Sequence, residues 1–76
     1  MENEVVLHKS SPVDAQGIYR DYFVRKEGES YIFRCVEWQI IYPKGDKHGS
    51  QKVGNTFQSK EDALNELNKF YNEWEK

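Results

Sequence analysis

The stretch YIFRCVEWQIIYPKG, residues 31–45, is the most informative part of the sequence, because it has the composition of a strand with apolar side chains on both faces. The even positions carry Ile32, Arg34, Val36, Trp38, Ile40 and Tyr42, and the odd positions carry Tyr31, Phe33, Cys35, Glu37, Gln39 and Ile41. Successive side chains of a strand point to opposite faces, and a sheet with one solvated face alternates more cleanly than this. The stretch therefore predicts a strand that needs cover on both sides.

The composition is that of one small folded domain, residues 1–76. The chain has 76 residues, of which 37% are apolar and 32% charged, and its two Trp, five Tyr and four Phe exceed what disordered chains carry. A chain of this length folds around a thin core. We therefore expect the aromatic side chains to supply most of the buried surface.

The sequence predicts a soluble cytoplasmic protein. Its single cysteine, Cys35, cannot form a disulfide within the chain, which fits a reducing compartment. Acidic residues near the start and the lack of an 18-residue apolar run predict neither a signal peptide nor a membrane span. The net charge of −2 argues against a surface that binds polyanions everywhere.

The clearest single element is a C-terminal helix over about residues 60–75. Ser59 has the properties of an N-cap residue, and Asp62 follows at the spacing of a capping box. An apolar stripe with helical spacing follows, formed by Ala63, Leu64, Leu67, Phe70, Tyr71 and Trp74. Such a stripe predicts a helix that packs on a sheet.

Four strands are expected before this helix. A hairpin with Glu27 and Gly28 as its loop would place Asp21 opposite Arg34 and Tyr22 opposite Phe33. EVVLH (residues 4–8) predicts an edge strand, and SPVDAQG (11–17) one helical turn capped by Ser11. KGDKHGS (44–50) predicts an exposed loop before a short strand over about residues 51–57, weakened or bulged at its glycine.

The expected fold is α+β, with a three- or four-stranded antiparallel sheet and the helix packed on one face, in the order β-β-β-β-α. The helix is expected on the face of Ile32 and Trp38, because Asp21 could neutralise the one charge there, Arg34. This arrangement exposes an aromatic patch on the other face. Two alternatives would remove that patch: the N-terminal strand and the 11–17 turn could cover it, or a bulge near Glu37 could exchange the two faces.

The exposed patch is the predicted contact site, since large apolar patches on soluble proteins usually mark interfaces. Its expected partner-binding residues are Arg20, Tyr22, Val24, Lys26, Tyr31 and Phe33. A basic loop of Lys44, Lys47, His48 and Lys52 is expected at its rim.

The favoured function is non-enzymatic binding to another protein or to a second copy of the chain. Small regulators and phage-type inhibitors are common in this size class. The alternative is single-stranded nucleic-acid binding through the same aromatic and basic surface. No cofactor, metal site, catalytic group or small-molecule substrate is predicted, because His8, His48 and Cys35 are dispersed and no phosphate-binding loop is present.

Two segments of the chain partly resemble known families. From SYIFRCVEW through TFQSKEDAL to NEW, the chain resembles the element order of the WGR domain, although Gln39 and Ile40 follow Trp38 in place of the Gly-Arg of its signature. SKEDA is similar to the helix start of double-stranded RNA-binding domains, but Glu61 and Asp62 replace the lysines that contact phosphate there. We assign the chain to neither family on these residues.

Overall fold

The computed structural model describes residues 3–75 as one antiparallel sheet followed by one helix. The strands are β1 (Asn3–Ser10), β2 (Ile18–Glu27), β3 (Ser30–Ile41) and β4 (Asp46–Phe57), and the helix is α1 (Lys60–Trp74). The strands lie in the order β1-β2-β3-β4. The predicted β-β-β-β-α order is confirmed. No helix in this part of the chain is both long and apolar enough to cross a membrane.

The hairpin between β2 and β3 has a different register from the one predicted. Its loop is Gly28 and Glu29, with Gly28 at φ +63°, and Glu27 pairs with Ser30. Two-residue loops with glycine in the first position have this positive φ and match the twist of the strands. Asp21 therefore lies opposite Val36 instead of Arg34, and the expected charge pair is absent.

Strand β1 confirms the predicted edge strand, whereas the helical turn predicted for residues 11–17 is wrong. The Asp14 carboxylate accepts hydrogen bonds from the backbone N–H groups of Gln16 (2.8 Å) and Ile18 (2.9 Å). The Ser11 backbone N–H donates to the Arg20 carbonyl, and the Ser11 hydroxyl accepts from the Arg20 N–H, so these two bonds continue the β1–β2 pairing. Asp and Ser side chains compete with helix formation in this way, so the segment is a loop that adds to the hairpin.

The connection between β3 and β4 is a short turn over residues 42–45, and the predicted long loop is wrong. Strand β4 begins at Asp46, and its pairing with β3 runs from Ile41 opposite Asp46 to Tyr31 opposite Phe57. A bulge at Lys52, between Val53 and Gln51, replaces the one expected near Gly54. No register shift interrupts the pairing of β3 with β2, so β3 does not exchange its faces near Glu37.

Helix α1 packs on the odd-numbered face of β3, the opposite of the face predicted. We call this covered side of the sheet the core face. Six side chains in the contact are fully buried: Tyr22, Val24, Phe33, Cys35, Ala63 and Leu67. Phe33 stacks on Phe70 with ring centroids 5.7 Å apart, and the Tyr22 ring meets Tyr71 edge-on at 5.2 Å.

The positions of the charged residues explain why the helix packs on this face. The centre of the core face is formed by uncharged side chains of β2, β3 and β4. The opposite face has Arg34 and Asp21 near its centre, on different rows of the sheet. Burying either charge without a partner would cost more than the apolar contact returns. The predicted placement depended on pairing these two residues, which the observed register prevents.

Candidate interaction surface

The side of the sheet opposite the helix carries an apolar strip without cover, and we call it the open face. Alternation along β2 and β3 places six apolar side chains there: Tyr19, Phe23, Ile32, Val36, Trp38 and Ile40. All six are half-buried. Residues 3–75 contain no further helix or strand that could pack on them, since α1 lies on the core face. The open face is therefore the main candidate for an interaction surface.

Trp38 lies over a glycine at one end of this strip. Gly49 is its partner on β4, and a Cβ atom added at Gly49 would be 2.6–2.9 Å from three ring atoms of Trp38. The indole therefore lies against the β4 backbone in a place that only glycine leaves free. Its Nε1 atom is buried and has no hydrogen-bond partner in the described part of the chain.

Lys47 covers the aromatic side chains at the same end. Its Nζ atom is 5.3 Å from the Trp38 ring centroid and 5.6 Å from that of Tyr19, and it donates a 2.9 Å hydrogen bond to the Tyr19 hydroxyl. That hydrogen bond is the main cause of a raised pKa for Lys47. Lys47 therefore stays charged at neutral pH. A cation of the same chain therefore already lies over both rings.

The predicted contact residues lie on the core face, and most of them are not available to a partner. Tyr22, Val24 and Phe33 are fully buried beneath the helix. Tyr31 packs partly buried against the core, with Lys26 Nζ 5.9 Å from its ring centroid. Arg20 lies at the far edge of the core, in an ion-pair network. The predicted exposed aromatic patch is thus wrong, because these side chains form the interior.

The predicted basic loop does not exist as one cluster. Only Lys44 lies in the turn, while Lys47, His48 and Lys52 belong to β4. Lys47 points to the open face, whereas Lys52 Nζ lies 3.5 Å from Glu37 on the helix side. Strand alternation and the bulge at Lys52 separate these cations onto two sides of the sheet.

A charged cleft borders the core face beyond the end of the helix. It encloses about 380 Å³ between Arg20, Glu37, Lys52 and Trp74. Arg20 lies 3.4 Å from Glu37 and 3.1 Å from Glu75. Two cations thus meet two carboxylates, so the cleft holds no unpaired charge that would select an ionic ligand.

Glu75 joins this cleft to the core. It accepts hydrogen bonds from Arg20 and from the hydroxyl of the buried Tyr22. Burial, and then the bond to Glu75, raises the pKa of Tyr22 far above its usual value. Burial alone would lower the pKa of Arg20, but its bond to Glu75 and the nearby negative charges raise it. These bonds fix the end of α1 to β2.

The Cys35 thiol is buried beneath the helix. Burial raises the pKa of the Cys35 thiol to about 11, so the thiol stays protonated at neutral pH. Within residues 3–75, no three His, Cys, Asp or Glu side chains lie close enough together to hold a metal ion.

The open face could have been identified from the sequence by the positions of the charges instead of the number of aromatic side chains. Tyr22, Val24, Phe33 and Cys35 form an uncharged block across two strands, whereas the complementary positions include Asp21, Arg25 and Arg34. A buried core rejects unpaired charge, so the uncharged block belongs beneath the helix. Comparisons with protein-family models, with curated proteins and with solved structures found no match for this chain.

Proposed function

We propose that this chain is a non-enzymatic binding protein of the regulator or inhibitor type, and that it binds another protein through the open face. The observation that carries this proposal is the uncovered strip of six apolar side chains on β2 and β3. A four-stranded sheet with strands of about ten residues offers about 600 Å² on one face, close to the roughly 800 Å² that each partner contributes to a standard interface. We propose a reducing, cytoplasmic setting because Cys35 is a buried free thiol.

The composition of the strip favours a protein partner over single-stranded nucleic acid. Nucleic-acid binders of this kind offer free ring faces on which bases stack. Here Lys47 lies over both Tyr19 and Trp38, and the β4 backbone at Gly49 lies against Trp38. Ile32, Val36 and Ile40 have no ring, and they match the apolar centre of a protein interface.

Paired variants of the tagged protein would test the proposal by affinity capture from the native host. Replacing Ile32 and Val36 together by threonine removes apolar surface from the open face and keeps the β-branched shape that strands favour. The matched control is Val13→Thr, since Val13 is 50% exposed and lies in the loop outside the sheet. Circular dichroism would verify that both variants are folded.

The proposal predicts one protein captured in stoichiometric amounts by the wild type and by the control, and lost with the double variant. Capture that is equal for all three proteins would overturn it. So would the loss of capture with the Val13→Thr control alone.

A further inference from the structure

The charged residues of the open face are not equally paired. The Asp21 carboxylate accepts a hydrogen bond from the Ser10 hydroxyl and lies 3.2 Å from His8 Nε2. Arg25 lies 3.6 Å from the carboxylate of Glu27. Both acids of this face are therefore already engaged by neighbouring side chains.

Arg34 has no such neighbour. Within residues 3–75, no carboxylate lies within 4.0 Å of its guanidinium, although Arg20 and Arg25 both have one. Its partners across the sheet are Phe23 on β2 and Gly54 on β4, and neither can accept a hydrogen bond through its side chain. Arg34 is half-buried between Ile32 and Val36 of its own strand, in the middle of the apolar strip.

This position restricts what can cover the open face. Any partner that packs on Ile32 and Val36 also removes water from Arg34. A guanidinium that loses water without gaining acceptors is strongly destabilised, whereas a carboxylate can bind it with two parallel hydrogen bonds. The covering surface must therefore bring an acceptor, and a carboxylate is the group that also neutralises the charge.

The open face of a second copy does not meet this requirement. Its own open face presents Arg34 and Lys47, while its Asp21 and Glu27 are already paired. Two open faces stacked together would place like charges on both sides and bring no free carboxylate. Exposed acids elsewhere on the chain, such as Glu61 and Asp62, could reach this face only in a head-to-tail contact, which continues without limit unless it closes into a ring. We therefore assign the complementary charge to a different protein.

We infer that the open face binds a protein segment that places a carboxylate on Arg34 between apolar side chains that cover Ile32 and Val36. This inference depends on the proposed function and adds the chemistry of the partner. Arginine within an aromatic and aliphatic patch is a frequent centre of binding energy in protein interfaces.

A random dodecapeptide library displayed on phage tests the inference, because it samples segments of every chemistry and so does not require the natural partner. The library is selected on the wild type and depleted on the Ile32→Thr, Val36→Thr double variant, so that only binders of the open face remain. The expected result is enrichment of peptides with Asp or Glu flanked by apolar residues. Enrichment of open-face peptides without excess acid would overturn the inference but leave the proposed function standing. Failure to enrich any open-face peptide would count against both.

The selected peptides are then measured against two matched variants. Arg34→Gln should weaken their binding by about tenfold or more, as expected for a lost charge-assisted hydrogen bond. Arg25→Gln removes a paired arginine of the same face and should change binding less than about threefold. Equal effects of the two variants would contradict the special role of Arg34.

Two further measurements test other occupants of the face. Sedimentation of the free protein should show a monomer, and a dimer that is lost in the double variant would overturn the inference in favour of a second copy. A 20-nucleotide oligo(dT) should bind more weakly than the selected peptides. Tighter binding that depends on Arg34 and falls steeply with salt would overturn it in favour of nucleic acid.

Discussion

The two faces of this sheet have similar numbers of apolar side chains, but the helix covers only one of them. On the core face the charges lie at the edges, where Arg20, Glu37 and Lys52 pair beside the helix end. On the open face Asp21 and Arg34 lie between the apolar side chains. The comparison shows that the position of charge, and not the amount of apolar surface, decides which face the single helix covers.

The largest expected contrast comes from truncating adjacent residues of β3 that point to opposite faces. Phe33→Ala should lower the free energy of unfolding by about 3–5 kcal/mol, because it empties the space beneath Phe70. Ile32→Ala should cost about 1 kcal/mol, because its site can refill with water. Urea denaturation followed by circular dichroism measures both. A larger loss for the Ile32 variant would reverse the assignment of the faces.

A second prediction tests the contact that orders the open face. Gly49→Ala should destabilise the protein by about 1–3 kcal/mol, since the new methyl group would overlap the Trp38 ring. Gly54→Ala is the matched control. Its methyl group would meet the end of the flexible Gln51 side chain, which can move at a cost of under about 0.5 kcal/mol. Thermal unfolding of both variants would decide, and equal losses would show that Trp38 does not lie on Gly49.

The hydrogen bond beneath the helix end should have an intermediate effect. Tyr22→Phe keeps the ring against Tyr71 and removes the hydroxyl that bonds Glu75. We expect a loss of about 1.5–2 kcal/mol, at the lower end of the usual contribution of a hydrogen bond to a charged group. Tyr19→Phe on the open face should cost less, because Lys47, the partner of that hydroxyl, is exposed and can bond water instead. Chemical denaturation at neutral pH gives both values.

Alkaline pH should lower the free energy of unfolding, because the Cys35 thiol is buried in the core. Its pKa rises from 9.0 to about 11 in the folded state, so between these values the unfolded chain loses the thiol proton and the folded chain keeps it. The protonated thiol therefore makes its full contribution to the free energy of unfolding below pH 9, and this contribution is lost as the pH rises towards 11. The free energy of unfolding, measured by urea denaturation at pH 8, 9, 10 and 11, should fall less with pH for Cys35→Ala than for the wild type. Parallel curves would contradict the burial of this thiol.

The smallest effect is expected at the charged rim of the core face. Lys52→Ala removes the exposed ion pair with Glu37, which lies at 3.5 Å. Exposed pairs contribute about 0–1 kcal/mol, so the change should be close to the error of a denaturation experiment. Glu37 retains Arg20 as a partner. A loss comparable to that of Tyr22→Phe would show that the cleft contributes more to the fold than its exposure implies.

The sequence predicted the elements that carry a strong local pattern. Helix α1 and its Ser59 cap follow from the apolar stripe and the acidic first turn, and the edge strand follows from EVVLH. Strand β4 starts earlier than predicted, because its first seven residues are exposed and none of them is apolar. A strand without alternating apolar and polar residues cannot be distinguished from a loop by its sequence.

The contact surface was missed for a related reason. The hairpin register depends on whether Gly28 is the first or the second residue of its loop, and a shift along the strand changed the residue opposite Asp21 from Arg34 to Val36. That one pairing had supported the choice of face. The helix leaves one sheet face uncovered, but it is the face that was expected to be covered, so the predicted patch is wrong.

Thiol reactivity distinguishes the covered face of β3 from the open face, because the only native cysteine lies on the core face and its neighbour in the sequence lies on the open face. The wild type is compared with a variant that combines Cys35→Ala and Val36→Cys, using Ellman's reagent at pH 8. The native thiol should react only when the protein opens, about a thousandfold more slowly than the thiol at position 36. A fast reaction of the native thiol together with protection at position 36 would place the helix on the other face of the sheet.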